Sequence, residues 1–131
     1  PSRRIVAELP DQAMLAGSSH RAIAQAVENV VRNACHYTPA EGCIRIVLEP
    51  QDNGYRLSVS DQGPGVPAEQ LELIFKPFFR ASRTGQSGPG GHGLGLSLAR
   101  RQVEAIGGWI QARNRPGRGL QMDLWFPASR L

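Results

Sequence analysis

Four groups of residues have types and spacings suited to chemistry. Asn29 and Asn33 stand four apart, which puts both carboxamides on one face of a helix. From there they can offer carbonyl oxygens to a hard cation such as magnesium, which takes few protein ligands and keeps phosphates and water. Taken alone, the same pair also suits two solvated asparagines on an amphipathic helix. Asp61 heads the run Asp61-Gln62-Gly63-Pro64-Gly65 and continues the face of Leu57 and Val59, so a carboxylate closes an apolar stripe. An ordinary Asp-Gly turn after a strand would fit those residues equally well. Phe75-Lys76-Pro77-Phe78-Phe79-Arg80 gathers three of the four phenylalanines around a proline. Such clusters pack into cores, and they also anchor the base of a lid.

The fourth group is Gly90-Gly91-His92-Gly93-Leu94-Gly95-Leu96, which runs directly into a helical pattern. Backbone N–H groups at a helix start, with glycines allowing close approach, form a cradle for anions. Two better-known phosphate loops are excluded. Gly88, Gly90 and Gly93 match G-x-G-x-x-G, but a polar loop precedes them where a dinucleotide fold needs a strand. No G-x-x-x-x-G-K-[ST] occurs. Arg80 and Arg83 lie on the polar stretch between the phenylalanines and the glycines, from which they could reach an anion held there, and they suit solvated surface arginines equally well.

The elements that must position these groups follow from periodicity. Arg3–Leu9 and Gln12–Ala16 read as short strands split by the turn dipeptide Pro10-Asp11. Ser18 or Ser19 can cap a helix over His20–Tyr37, where Ile23, Ala26, Val27, Val30, Val31 and Ala34 fall at helical spacing. Thr38-Pro39 ends it. Ile44, Ile46 and Leu48 alternate along one strand, and Tyr55, Leu57, Val59 and Asp61 along the next. Asp52-Asn53-Gly54 makes the hairpin turn between them. Pro67 opens a short helix through Ile74. Leu94–Ile106 is a second long helix whose inner face takes Leu98, Ala99, Val103 and Ile106, stopped by Gly107-Gly108. Trp109–Asn114 and Leu120–Phe126 are the last strands, joined through Pro116-Gly117-Arg118-Gly119. The sum is an α+β two-layer sandwich, a mixed and mostly antiparallel sheet covered on one face by three helices. Strands joined without regular crossover helices argue against a doubly wound nucleotide fold.

Composition narrows the class. At 131 residues the chain can bury a core without staples, and 40% hydrophobic with 20% charged residues is the balance of a soluble globular domain. The net charge of +4 does not point to nucleic acid, because Lys76 is the only lysine and the arginines are scattered. Cys35 and Cys43 have no metal-ligand spacing, and two thiols without a disulfide framework fit a reducing cytoplasm. No apolar run reaches the ~18 residues of a membrane span.

In this order and spacing, the four groups resemble the N box, first glycine box, F box and second glycine box of the ATP-binding domains of sensor histidine kinases. Those domains belong to the GHKL group of ATPases with the Bergerat fold. The resemblance covers nearly the whole chain. It implies that ATP and Mg2+ are the cofactors, that Asn33 coordinates the metal and that Asn29 supports metal and phosphates. His36 and Tyr37 fall where the family often has a basic residue and a tyrosine near the nucleotide, so Asn29, Asn33 and His36 form the expected catalytic set. Asp61 resembles the adenine reader, accepting a hydrogen bond from the exocyclic amine and discriminating against guanine, which presents a carbonyl there. Gly63, Gly65 and Val66 would border the base. Phe79, Arg80, Gly91, His92, Gly93, Leu94, Gly95 and Leu96 would line the lid and phosphate side. The chain departs from the family in having Ser18-Ser19 where an acidic residue commonly precedes the first helix.

Within that group, hydrolysing branches place a glutamate four residues before the metal-binding asparagine. Here that residue is Asn29, and Glu28 is turned about 100° away around the helix. The resemblance therefore implies a domain that passes its γ-phosphate to an external acceptor. His20, His36 and His92 are followed by Arg21, Tyr37 and Gly93, whereas glutamate follows the family's acceptor histidine. The expectation is a single domain over residues 1–131, part of a longer sensor kinase whose dimerisation and phosphoacceptor domain lies elsewhere. A response-regulator receiver domain would act downstream, with no direct membrane contact by this domain and a cytoplasmic location beneath a membrane-anchored sensor. Two alternatives stay open: a serine/threonine kinase of the same fold acting on an anti-anti-sigma factor, and a non-catalytic nucleotide-binding or interaction module.

Overall fold

Alternating apolar residues in four antiparallel strands build one continuous face, and two helices cover it. The structure, a computed structural model, describes residues 4–8, 20–39, 41–79 and 95–128. Its elements are β1 (Arg4–Glu8), α1 (His20–Tyr37), β2 (Cys43–Gln51), β3 (Gly54–Ser60), α2 (Gly95–Ala105), β4 (Trp109–Asn114) and β5 (Leu120–Pro127), with two short 3-10 turns at Ala68–Gln70 and Leu73–Phe75. The sheet order is β1-β2-β3-β5-β4. β1 runs parallel to β2, and the other three pairings are antiparallel. The expected strand Gln12–Ala16 and the capping serines lie outside the described residues.

Register explains which side is wet. Leu48 pairs with Leu57, Leu57 with Leu124, and Leu124 with Ile110, so these side chains share a face. With Ile44, Val59, Leu120, Met122 and Phe126 they are buried under Ile23, Ala26, Val30 and Ala34 of α1 and Leu96, Ala99 and Val103 of α2. The opposite face is polar, yet it hides one carboxylate. Asp123 is fully buried there, with Oδ2 3.1 Å from Arg56 Nη2 and 3.4 Å from Arg113 Nε. Its Oδ1 accepts from Ser58 Oγ at 2.8 Å and from Gln121 Nε2 at 2.8 Å.

The connections use the expected turn chemistry. Asp52 and Asn53, with φ of 51° and 62°, make the two-residue left-handed turn that matches the twist of a hairpin. α2 ends in paired reverse bonds, Gly108 N–H to the Val103 carbonyl at 2.9 Å and Gly107 N–H to the Glu104 carbonyl at 3.0 Å. Two expectations need revision. The helix expected from Pro67 to Ile74 is two 3-10 turns, in which Gln70, Leu71, Phe75 and Lys76 each donate to the carbonyl three residues back. Pro67 itself has ψ 138° and stays outside the first turn. Leu98 is 43% exposed and does not face the core, since it sits about 100° around the helix from Ala99. Leu96 and Ser97 take the buried positions instead. Among the described residues, no helix is long and apolar enough to cross a membrane.

Candidate functional site

α1 is the spine of the site. Asn29, Asn33, His36 and Tyr37 follow one another at helical spacing along one side, all half-buried, while the core stripe faces the sheet. The His36 and Tyr37 rings meet edge to face, with centroids 4.6 Å apart. Asn29 and Tyr37 lie about 12 Å apart along the axis.

At the Tyr37 end sits the loop that leaves β3. Asp61 is 2% exposed, as its place in the alternation requires. Its Oδ1 accepts from the N–H groups of Gly63 at 2.9 Å and Leu120 at 3.0 Å, and its own N–H donates to the Leu120 carbonyl at 2.9 Å. The carboxylate is thus fixed by backbone donors from its own loop and from β5. Gly63 lies against the last turn of α1, where a Cβ would come 2.7 Å from the Tyr37 carbonyl oxygen and 3.3 Å from Asp61 Oδ1. Only glycine allows that approach. Gln62 ties the same loop to the start of β2, its Oε1 accepting from Cys43 N–H at 2.7 Å.

At the Asn29 end sits the start of α2. A Cβ at Gly95 would lie 3.8 Å from Asn29 Oδ1, so the first residue of α2 and the first asparagine are in van der Waals reach. Of the residues expected on this side, Gly95 and Leu96 are therefore brought to α1. Arg80, Gly91, His92, Gly93 and Leu94 lie outside the described residues.

The phenylalanine group divides. Phe75 is 4% exposed in the core, Phe79 packs partly against it, and Phe78 is 71% exposed with a left-handed φ of 67°. Arg100 of α2 places its guanidinium 4.0 Å from the Phe75 ring centroid. The same guanidinium donates to both carboxylate oxygens of Glu72, at 3.0 and 3.3 Å, and to the Ile110 carbonyl at 3.1 Å. The Arg100 hydrogen bonds hold the Glu72 carboxyl below its ordinary value, against a smaller opposing effect of desolvation.

Several residues of the site escape a reading of motifs. Asn114 clasps Val66, accepting its N–H at 2.9 Å and donating to its carbonyl at 2.6 Å. Arg115 donates to the Asp61 carbonyl at 2.8 Å, and Arg118 to the Gln62 carbonyl at 3.1 Å. Gly119, with φ of 106°, packs so closely that a Cβ would overlap the Asp61 carbonyl oxygen. The turn-forming glycines of this segment are visible in the sequence, but its partners are set by sheet register. Among the described residues no group of three or more His, Cys, Asp and Glu could hold a metal ion. The amide pair on α1 remains, a donor set suited to a cation that keeps phosphate and water as its other ligands.

Comparison with known proteins gives the family and the fold. Residues 18–130 match the family described as histidine kinase-, DNA gyrase B-, and HSP90-like ATPase. Sensor protein PfeS of Pseudomonas aeruginosa is 43% identical over 108 residues, covering 82% of this chain and 23% of the relative. Sensor histidine kinase CpxA of Escherichia coli is 36% identical over 106 residues, 81% of this chain and 23% of that protein. The chain therefore spans about a quarter of the length of these relatives. Among solved structures, the mycobacterial sensor histidine kinase MprB superposes with a TM-score of 0.84 at 28% identity, over 95% of this chain and 83% of that one. The catalytic domain of histidine kinase ThkA gives 0.78 at 33% identity, over 95% and 78%.

Proposed function

Because the chain belongs to the histidine kinase-, DNA gyrase B- and HSP90-like ATPase family, we propose that it is the catalytic ATP-binding domain of a sensor histidine kinase. The observation that carries this reading is the two-ended geometry of α1. A buried, backbone-fixed carboxylate stands at its Tyr37 end and the start of α2 at its Asn29 end. The ~12 Å between them suits a base at one end and a phosphate chain at the other. Asp61 accepts the adenine exocyclic amine, Gly63, Gly65 and Val66 border the base, and Gly95 and Leu96 begin the helix whose N–H groups face the phosphates.

Magnesium, when bound, supplies charge neutralisation to the phosphates. Asn33 would hold it through its carboxamide oxygen, with Asn29 behind, and His36 and Tyr37 would border the nucleotide. Asn29 cannot serve as a base toward water, because a carboxamide takes no proton at neutral pH. The γ-phosphoryl group therefore passes to a histidine nitrogen on the dimerisation domain of the parent kinase, with ADP leaving, and then to a receiver domain. On this reading residues 1–131 are one domain of a longer protein, on the cytoplasmic side of a membrane-anchored sensor.

Calorimetric titration with Mg-ATP tests it, alongside Asp61→Ala and GTP. Wild-type binding is expected. Loss of a hydrogen bond to a buried charged acceptor should weaken it by roughly tenfold to a hundredfold in the variant. GTP should compete poorly, and the chain alone should turn ATP over slowly. Equal binding of ATP by wild type and Asp61→Ala would overturn the site, and rapid steady-state hydrolysis would overturn the transfer reading.

A further inference from the structure

The loop 61–66 has no regular secondary structure, so something else must hold the residues proposed to read the base. Apart from the bond between Gln62 and Cys43 of β2, its described polar ties to other elements go to one hairpin. Arg115 and Arg118 bond the carbonyls of Asp61 and Gln62, Leu120 exchanges bonds with Asp61, and Asn114 takes both backbone groups of Val66. The hairpin anchors thus bear on Asp61 and Gln62 at one end of the loop and on Val66 at the other. We propose that the β4–β5 hairpin is a positioning clamp for base recognition, and that Asn114 is its specificity-determining residue. The inference rests on the reading of Asp61 and its loop as the adenine pocket.

The chemistry of the side chain supports a dedicated role. A carboxamide carries an acceptor and a donor on one short planar group, so it can pair with a residue's N–H and carbonyl together as a neighbouring strand would. The 2.9 and 2.6 Å bonds do this at Val66, from Asn114 as the last residue of β4. A Cβ at Gly65 would come 2.8 Å from Asn114 Oδ1, so the carboxamide also sits flush against the residue before. Asn114 touches neither phosphate nor metal in this scheme. It acts through the loop, and its loss should therefore be felt at the base.

The test is Asn114→Asp in the 131-residue chain. The substitution keeps shape and the acceptor for Val66 N–H, but turns an oxygen toward the Val66 carbonyl where a donor stood. The expected result is a Kd for Mg-ATP raised about tenfold, with ADP weakened by the same factor because the phosphates are untouched. The preference for ATP over GTP should fall, and Asn114→Gln should recover part of it. In the parent kinase the KM for ATP should rise with kcat at saturating ATP unchanged. A lowered melting temperature with unchanged Kd and unchanged base preference would make Asn114 a structural strut and overturn the proposal. Should Asn114→Asp fail to fold, Arg115→Met tests the same clamp from its other end, and unchanged nucleotide affinity there overturns it equally. Asp61→Ala separates the two levels. Loss of ATP binding in Asp61→Ala but not in the hairpin variants removes the clamp alone, whereas binding unaffected by Asp61→Ala removes the site and the clamp with it.

Discussion

At the Tyr37 end of α1 the loop 61–66 is held by its own buried carboxylate, bonded to backbone N–H groups of the loop and of β5, and by the Asn114 side chain of the β4–β5 hairpin. On the other side, the segment Glu72–Phe79 is held by the buried side chains of Ile74 and Phe75, one cation over the Phe75 ring, and a charge pair whose glutamate side chain is 74% exposed. Both regions border the same proposed site, but their energetics differ. Buried hydrogen bonds cost their full desolvation when one partner is removed, while exposed ion pairs are screened and contribute little. The base side is thus built to be fixed. The phenylalanine side rests on packing, with electrostatics as a minor addition.

The sharpest way to break the fixed side is Gly119→Ala. A methyl group there would overlap the Asp61 carbonyl oxygen, and the φ of 106° is one that alanine rarely adopts. Backbone strain and forced displacement together should cost about 3–4 kcal/mol, read as a shift in the denaturant midpoint. ATP affinity should fall with it, since the displaced atom belongs to Asp61. Gly117→Ala is the control for strain alone. Its φ is 88° but nothing lies within 4 Å of a new Cβ, so it should cost about 1 kcal/mol and leave affinity intact.

How much of this was legible in the sequence divides along the same line. The helical spacing of Ile23, Ala26, Val30 and Ala34 gave α1, and strict alternation placed Asp61 at the end of a buried stripe, because both patterns are local. The clasp between Asn114 and Val66 joins residues 48 apart and depends on how β5 registers against β3 and β4 against β5. No periodicity encodes that. Asp123 was missed for a related reason: it lies on the polar face by alternation, and only the convergence of Arg56, Arg113, Ser58 and Gln121 buries it. Leu98 was misplaced because a leucine beside the core stripe looks like part of it. The turns after Pro67 read as helix because 3-10 and α spacing are indistinguishable over so few residues.

On the phenylalanine side, Arg100→Met should have a middling effect. It removes the cation from the Phe75 ring and two kinds of hydrogen bond, but leaves an apolar stem to cover the ring. A loss of about 1–2 kcal/mol in chemical denaturation is expected. ATP affinity should change less than in Gly119→Ala. A larger loss of affinity than of stability would mean that α2 is aligned for the phosphates by this arginine, and the contrast between the two sides would narrow.

The smallest effect should come from Glu72→Gln, and its sign with pH is the point of making it. Because the Arg100 bonds lower the folded pKa of Glu72, the carboxylate contributes stability that is fully present above the ordinary unfolded glutamate value of about 4.3. That contribution disappears as pH falls through the lowered folded value, where the carboxyl is protonated in both states. Wild type should therefore exceed Glu72→Gln by less than ~1 kcal/mol at neutral pH, given the exposure of the pair, and the gap should close in acid and shrink with added salt. Denaturation midpoints of both proteins at pH 7 and below pH 4, at low and high salt, check this. A gap that persisted in acid would show that Glu72 works through packing or a neutral hydrogen bond, and the phenylalanine side would then resemble the base side more than its exposed charges suggest.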